Sequence, residues 1–279
     1  MCRWMAYLGD PILADDLLFR PEHSIIDQSL NARLGGGITT NGDGFGIGWY
    51  SPDDTSPAVF KSTHPAWNDE NLREVAPRIR TPLLFAHVRA SSGTPVQRSN
   101  CHPFRFGRWL WMHNGSLAEF PRVRHDLQMA VDPSLYPLIE GNTDTETLFF
   151  LALTFGLTDD PPAAVARAVG FVEQVGSRHG IDYPVHMTAA ATDGESVWVF
   201  RYSSEKATSS LYFSNDVVQV RRLYPDLQSL ERLGTDTRFI VSEPLRDLPG
   251  AWTEVPEASW ALIRRGEQQV HLFQPTVPV

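Results

Sequence analysis

The order of its apolar segments constrains this chain more than any other feature. Short runs rich in Val, Ile, Phe, Tyr and Trp come first, at residues 3–8, 45–50, 58–61, 83–89 and 109–113. A helical stretch at 68–79 lies among them, ending near Arg80-Thr81-Pro82. Two longer helical patterns follow at 143–155 and 162–178, the second opening on Pro161-Pro162, which suits a first turn. Strand patterns then return at 185–192, 196–202, 211–214, 239–241, 260–264 and 270–273. Asp193-Gly194 predicts a hairpin closed by a tight type I′ turn. Strands, then helices, then strands is not the alternation of a doubly wound parallel sheet. The order predicts an α+β chain of antiparallel sheets with helices stacked outside. No repeat, low-complexity tract or long linker divides it, so residues 1–279 read as one domain. The loosest stretch, 203–210, reads as a polar hairpin connection.

Several function classes are excluded early. Lys plus Arg number 24 and Asp plus Glu 33, a formal charge of -9. That balance disfavours general binding to nucleic acid or to an anionic membrane. No apolar run approaches the roughly 20 residues that span a bilayer, and the N-terminus lacks the apolar core of a signal peptide. The expectation is a cytoplasmic protein. The phosphate loop, the zinc-protease helix and the nucleophile elbow are all absent. The run Gly42-Asp43-Gly44-Phe45-Gly46-Ile47-Gly48 does not fit a dinucleotide fingerprint; alternate glycines in a strand instead mark close backbone approach. There are two cysteines, Cys2 and Cys101. A disulfide between them is unneeded in a chain of this size. Cys101, His102 and His113 lack the paired-cysteine spacing of a zinc site.

Four local features could carry chemistry, and each also has a plain structural reading. Loss of Met1 would leave Cys2 with a thiol and a free α-amine on one residue; an amine of ordinary pKa about 7.7–8.0 can take the thiol proton and return it to a leaving group. Alternatively, Cys2 is an ordinary second residue. Arg89, at the end of an apolar strand, can hold a carboxylate through two parallel hydrogen bonds, or sit in a surface ion pair. Asn114-Gly115 after a strand can supply a side-chain amide and a backbone N–H to an oxyanion, or form a simple turn. Thr143 and Glu146 have the spacing of a capping box, which leaves Asp144 in the first turn free to bind an ammonium group. Together the four provide a nucleophile, an oxyanion hole and clamps for the two charges of an amino-acid head group.

The ordered set Met1-Cys2-Arg3, Asn41 through Tyr50, His87-Val88-Arg89, Asn100-Cys101-His102-Pro103-Phe104, His113-Asn114-Gly115 and Asn142-Thr143-Asp144-Thr145-Glu146 resembles the class II glutamine amidotransferases, the N-terminal nucleophile group. The resemblance implies a four-layer αββα sandwich. It implies Cys2 as nucleophile, Asn114 with Gly115 as oxyanion hole, Arg89 on the substrate α-carboxylate and Asp144 on its α-amine. Ala90-Ser91-Ser92-Gly93-Thr94 departs from the segment that synthase-linked members carry, where a threonine stands in place of Ser92; the serine keeps the hydroxyl. The implied reaction is hydrolysis of the glutamine side-chain amide, with glutamate and ammonia as products and no metal or organic cofactor. The substrate is a small molecule, and a synthase, where one is served, would be a separate partner. Asp27-Gln28-Ser29 is similar to a small stand-alone group that hydrolyses a γ-glutamyl amide in ergothioneine biosynthesis. The rival of another class is a non-catalytic glutamine-binding regulatory subunit.

Overall fold

A strand buried on both faces carries apolar residues at nearly every position, and the first strand shows this directly. Its Met5 and Tyr7 face one way and its Trp4, Ala6 and Leu8 the other, all buried. The computed structural model describes residues 2–34, 40–52, 54–91 and 93–278. In chain order these form β1 (Arg3–Leu13), α1 (Ala14–Leu18), α2 (Ile25–Asn31), β2 (Phe45–Tyr50), β3 (Ala58–Ser62), α3 (Glu70–Val75), β4 (Arg80–Val88), β5 (Phe104–Phe106), β6 (Trp109–Leu117), α4 (Phe120–Met129), α5 (Asp144–Thr154), α6 (Pro161–Arg178), β7 (Val185–Thr192), β8 (Val197–Ser203), β9 (Tyr212–Ser214), α7 (Val217–Leu223), β10 (Arg238–Val241), β11 (Trp252–Glu254), β12 (Ser259–Arg264) and β13 (Glu267–Leu272).

Two antiparallel sheets result, ordered β11-β9-β10-β1-β4-β2-β3 and β13-β12-β8-β7-β6-β5. Three apolar layers hold them. Trp4, Phe85, Leu110, Met112 and Val199 pack between the sheets. Met5, Leu17, Ile25 and Phe45 pack the first sheet against α1–α3. Trp111, Phe149, Val165 and Phe200 pack the second against α4–α6. The order of layers is therefore helix, sheet, sheet, helix, as the resemblance implied. Helix α5 is buried at every residue from Thr145 to Leu153, as expected of a helix apolar on all sides.

The expected helix at 68–79 is broken into pieces. Asp69 accepts the Leu72 N–H at 2.8 Å and starts α3 at Glu70. Pro77 cannot continue an α-helix, and Ala76–Arg78 tightens into a 3₁₀ turn. The strand expected to stop at His113 runs on to Leu117, so Asn114-Gly115 is not a turn. Gly115 instead kinks the strand with φ of +142°, and a Cβ there would stand 1.8 Å from the His186 carbonyl oxygen. The β7–β8 hairpin exists, but four residues, 193–196, close it, because Thr192 pairs with Val197. Only Gly194 of that loop has positive φ, which rules out type I′. Residues 203–210 do not close a hairpin either, since β8 and β9 lie in different sheets.

Alternate glycines in β2 mark a close approach, as expected. A Cβ on Gly46 would lie 2.1 Å from the His102 carbonyl oxygen, and one on Gly48 would meet Pro103 and Leu110 at 2.8 Å.

Candidate active site

Cys2 stands at the head of β1, between β10 on one side and β4 on the other. Its sulfur lies 3.3 Å from the Ala90 N–H nitrogen and 3.4 Å from the Ala90 oxygen. Its carbonyl accepts from Arg3 Nη1 at 3.0 Å and from Asn114 Nδ2 at 2.8 Å. Asn114 comes from β6 of the opposite sheet, so the two sheets meet at this residue. The same amide nitrogen donates to Ser242 Oγ at 3.1 Å, and that hydroxyl also accepts the Trp4 N–H at 3.1 Å. Burial pushes the Cys2 thiol up, against the opposing pull of the Ala90 backbone and Arg89. A thiol held protonated needs a base before it can attack.

A cleft of about 510 Å³ opens at Cys2, with Asn114, His186, Thr208, Tyr212 and Ser242 among its walls. His186 is half-buried, and its Nε2 accepts the Ser209 N–H at 3.0 Å. Burial lowers its pKa, against the pull of Glu257 and Glu205.

Arg89 is buried, yet it makes no ion pair among the described residues. Its guanidinium donates only to neutral oxygens: those of Asp43 and Pro95 at 3.3 and 3.4 Å, Ser91 Oγ at 3.1 Å, and Thr94 Oγ1. The surface ion pair weighed against it is therefore not present. A buried charge of this kind is suited to an anion brought from outside. Ser92 lies outside the described residues.

Thr143 caps α5, its hydroxyl accepting the Glu146 N–H at 3.2 Å. Only half of the expected capping box forms. Glu146 turns instead to the Glu140 and Gly141 N–H groups, at 3.0 and 2.7 Å, because that segment folds back over the helix start. Asp144 is not left without partners: Oδ2 accepts the Leu117 N–H at 2.8 Å and Oδ1 accepts the Thr145 N–H at 2.8 Å. The carboxylate thus ties the end of β6 to the start of α5 and keeps acceptor capacity on both oxygens. Asn100 and Asn142 join two further motifs, with Asn100 Nδ2 donating to Asn142 Oδ1 at 2.7 Å. Cys101 is a buried free thiol, its sulfur near the Ser62 and Gln97 carbonyls and unbonded to Cys2. Among the described residues no group of three His, Cys, Asp or Glu side chains is arranged to hold a metal.

The sequence profile described as class II glutamine amidotransferases matches residues 23–278. The chain belongs to this family. The probable glutamine amidotransferase DUG3 of Saccharomyces cerevisiae is 34% identical over 99% of this chain and 85% of that protein. A γ-glutamyl-hercynylcysteine sulfoxide hydrolase of Mycolicibacterium smegmatis is 35% identical over 41% of this chain and 51% of its own length. The solved structure of a glutamine aminotransferase class-II domain protein from Silicibacter pomeroyi superposes with a TM-score of 0.74 at 31% identity, covering 99% of this chain and 100% of that one.

In this class II amidotransferase the sequence motifs single out Cys2, Arg89, Asn114 and Asp144 as candidates, and the fold brings Cys2 and Asn114 to one cleft, whose lining does not include Arg89 or Asp144. They did not find Ser242, His186 or the 207–210 wall of the cleft. Ser242 follows an apolar strand in Phe239-Ile240-Val241, and a serine at a strand end carries no signal of its own. No described helix is long and apolar enough to cross a membrane.

Proposed function

We propose that this chain hydrolyses the side-chain amide of glutamine through a thioester on Cys2, releasing glutamate and ammonia. One observation supports the reading: Cys2 and Asn114 line the same cleft, and the Asn114 amide donates to the Cys2 backbone carbonyl at 2.8 Å. After removal of Met1, the α-amine of Cys2 takes the thiol proton, and sulfur attacks the amide carbon of the side chain. The tetrahedral oxyanion takes hydrogen bonds from the Asn114 amide and the Gly115 N–H. The C–N bond breaks as the amine returns the proton to the departing ammonia. Water, deprotonated by the same amine, then cleaves the thioester. Arg89 holds the substrate α-carboxylate and Asp144 its α-ammonium, and the Ser92 hydroxyl serves substrate binding. Residues 1–279 serve as one class II amidotransferase unit. Where ammonia is transferred rather than released, the acceptor reaction belongs to a separate synthase partner. We place the reaction in the cytoplasm, a setting that suits two free thiols.

A second reading, hydrolysis of a larger γ-glutamyl amide, is favoured by the likeness to the γ-glutamyl-hercynylcysteine sulfoxide hydrolase, 35% identical over 41% of this chain. One panel tests both: the purified chain against glutamine and γ-glutamyl amides of increasing leaving-group size, beside Cys2→Ala. The expected result is turnover in the native chain and none in a folded Cys2→Ala. A glutamine-like diazo-ketone should label Cys2 and not Cys101. Undiminished turnover in Cys2→Ala sinks the mechanism, and glutamine binding without any turnover returns the chain to a regulatory role.

A further inference from the structure

An amide side chain that serves an oxyanion must present its nitrogen, not its oxygen, and something must enforce that orientation. In Asn114 the choice is fixed by what it faces. The Cys2 carbonyl can only accept, so the Asn114 atom 2.8 Å away is Nδ2. Asn114 Oδ1 must then point the other way, where it meets His87 Nε2 at 3.1 Å. An oxygen that only accepts requires a proton on that ring nitrogen. We infer that His87 is a positioning residue for the reaction proposed above: its Nε2–H locks the Asn114 amide with Nδ2 toward Cys2 and polarises it for oxyanion binding.

The surroundings of His87 suit that single task. It lies on β4, paired with Trp4 and Gly46, and is buried. Its ring stacks on His102 with centroids 4.0 Å apart. Among the described residues Nδ1 has no hydrogen-bond partner, and neither has either ring nitrogen of His102. A bare Nδ1 acceptor is the cheaper atom to leave unpaired there; an imidazolium would bury an unmatched charged donor instead. The charged and titratable groups that bear on His87 are Arg89, His113 and His102. Burial and then Arg89 lower its pKa to about 3, although the Asn114 hydrogen bond and the nearby His113 backbone pull upward. His87 therefore stays neutral wherever the enzyme works, and it is neither the base nor the acid of the reaction. Linked hydrogen bonds in a dry interior strengthen one another. The N–H on Oδ1 thus makes the Asn114 amide protons better donors; both go to the Cys2 carbonyl and Ser242 Oγ in this structure, and one must pass to the substrate oxygen as negative charge develops there.

The inference rests on the proposed chemistry, and its test separates the two. In His87→Leu, kcat should fall about 10- to 100-fold, part of what loss of a whole oxyanion donor costs, with KM nearly unchanged. In His87→Gln, whose amide can donate to the same oxygen, most of kcat should return. Nitrogen NMR of the native protein should show His87 with Nε2 protonated and Nδ1 bare, constant from about pH 5 to about pH 9. An unaltered kcat in a folded His87→Leu overturns the role, and so does a proton on Nδ1. If His87→Leu does not fold, the NMR tautomer and the His87→Gln kinetics decide. Failure of the underlying reading looks different: no γ-glutamyl amide is turned over in a Cys2-dependent way, while the tautomer of His87 is still read directly.

Discussion

Glu243 offers the sharpest quantitative check on how Cys2 is held. Its carboxylate is almost wholly buried and, among the described residues, gathers four donors: Arg3 Nε at 2.9 Å, the Arg33 and Leu34 N–H groups at 2.8 and 3.0 Å, and His23 Nε2. His23 in turn contacts Asp27 at 2.6 Å. Burial by itself raises the pKa of a carboxyl group, but here the hydrogen bonds from His23, Leu34, Arg33 and Arg3 win and hold it at about 2 against an ordinary 4.5. That difference is worth about 3 kcal/mol of folding stability at neutral pH. A depressed carboxyl pKa stabilises above the unfolded value, so this contribution is complete above about pH 4.5 and drains away as the pH falls toward about 2. Glu243→Gln keeps the shape and removes the charge, leaving Arg3 buried without its carboxylate. Breaking a buried pair from one side costs about 3–5 kcal/mol, or roughly 6–12 °C of Tm at the lower figure. The assay is urea unfolding of both proteins across the acid range. The gap between them should be widest near neutrality and narrow below about pH 4.5, where the unfolded chain's Glu243 carboxyl takes up a proton and the native one, held at about 2, does not. A gap that stays constant down to about pH 3, or one under about 1 kcal/mol at neutral pH, would refute the reasoning.

Three further outcomes follow from the geometry. A folded protein with an uncleaved tag ahead of Cys2 should be inactive in the amide-hydrolysis assay, because a peptide nitrogen is no base; normal turnover would shift that role to His186, the imidazole of the cleft, since His87, His102 and His113 are buried away from the cleft lining. Asp144→Asn should lower kcat/KM by one to three powers of ten, the worth of about 2–5 kcal/mol for a charged partner; stability should fall by the roughly 0.3–1 kcal/mol of a helix-terminus charge and by about 1–3 kcal/mol for the one backbone N–H, of Leu117 or Thr145, that the amide cannot accept; calorimetry beside kinetics checks it, and a stability loss with normal kcat/KM returns Asp144 to a purely structural duty. Gly46→Ala should destabilise by several kcal/mol or prevent folding, because its Cβ would drive into the His102 carbonyl at 2.1 Å; a variant with native Tm would show that the strand can move aside.

What the sequence revealed and what it hid divide along a physical line. The central strands were legible because both faces are buried, so their apolar runs are nearly continuous. Helix α5 was legible because Thr143 signals its start and its body is apolar throughout. Helix α4 was not: Arg122, Arg124, His125 and Asp126 dilute its apolar face, and its N-cap, Glu119, has φ of 49° and no capping hydrogen bond. Helices α1, α2 and α7 have five to seven residues, too few to display a period. The 203–210 segment looked loose because it is polar. That polarity now has a reason, since residues 207–210 form a wall of the cleft.

The hidden part of the site is hidden for one reason: its bonds join residues far apart in sequence. Ser242 meets Asn114 across 128 positions and Glu243 meets Arg3 across 240, and neither bond leaves a local pattern. Yet those two neighbours just beyond β10 act on one atom. Ser242 steadies Asn114, Glu243 steadies Arg3, and Asn114 and Arg3 are the two donors to the Cys2 carbonyl. Because β10 pairs with β1 in register, Met5 opposite Val241, the same backbone ladder that builds the sheet sets the position of both supports. A one-residue slip of β10 would turn the Ser242 and Glu243 side chains to opposite faces and release Asn114 and Arg3 together. The register of an interior strand is thus itself a part of the active site, and motif spacing along the chain cannot encode it.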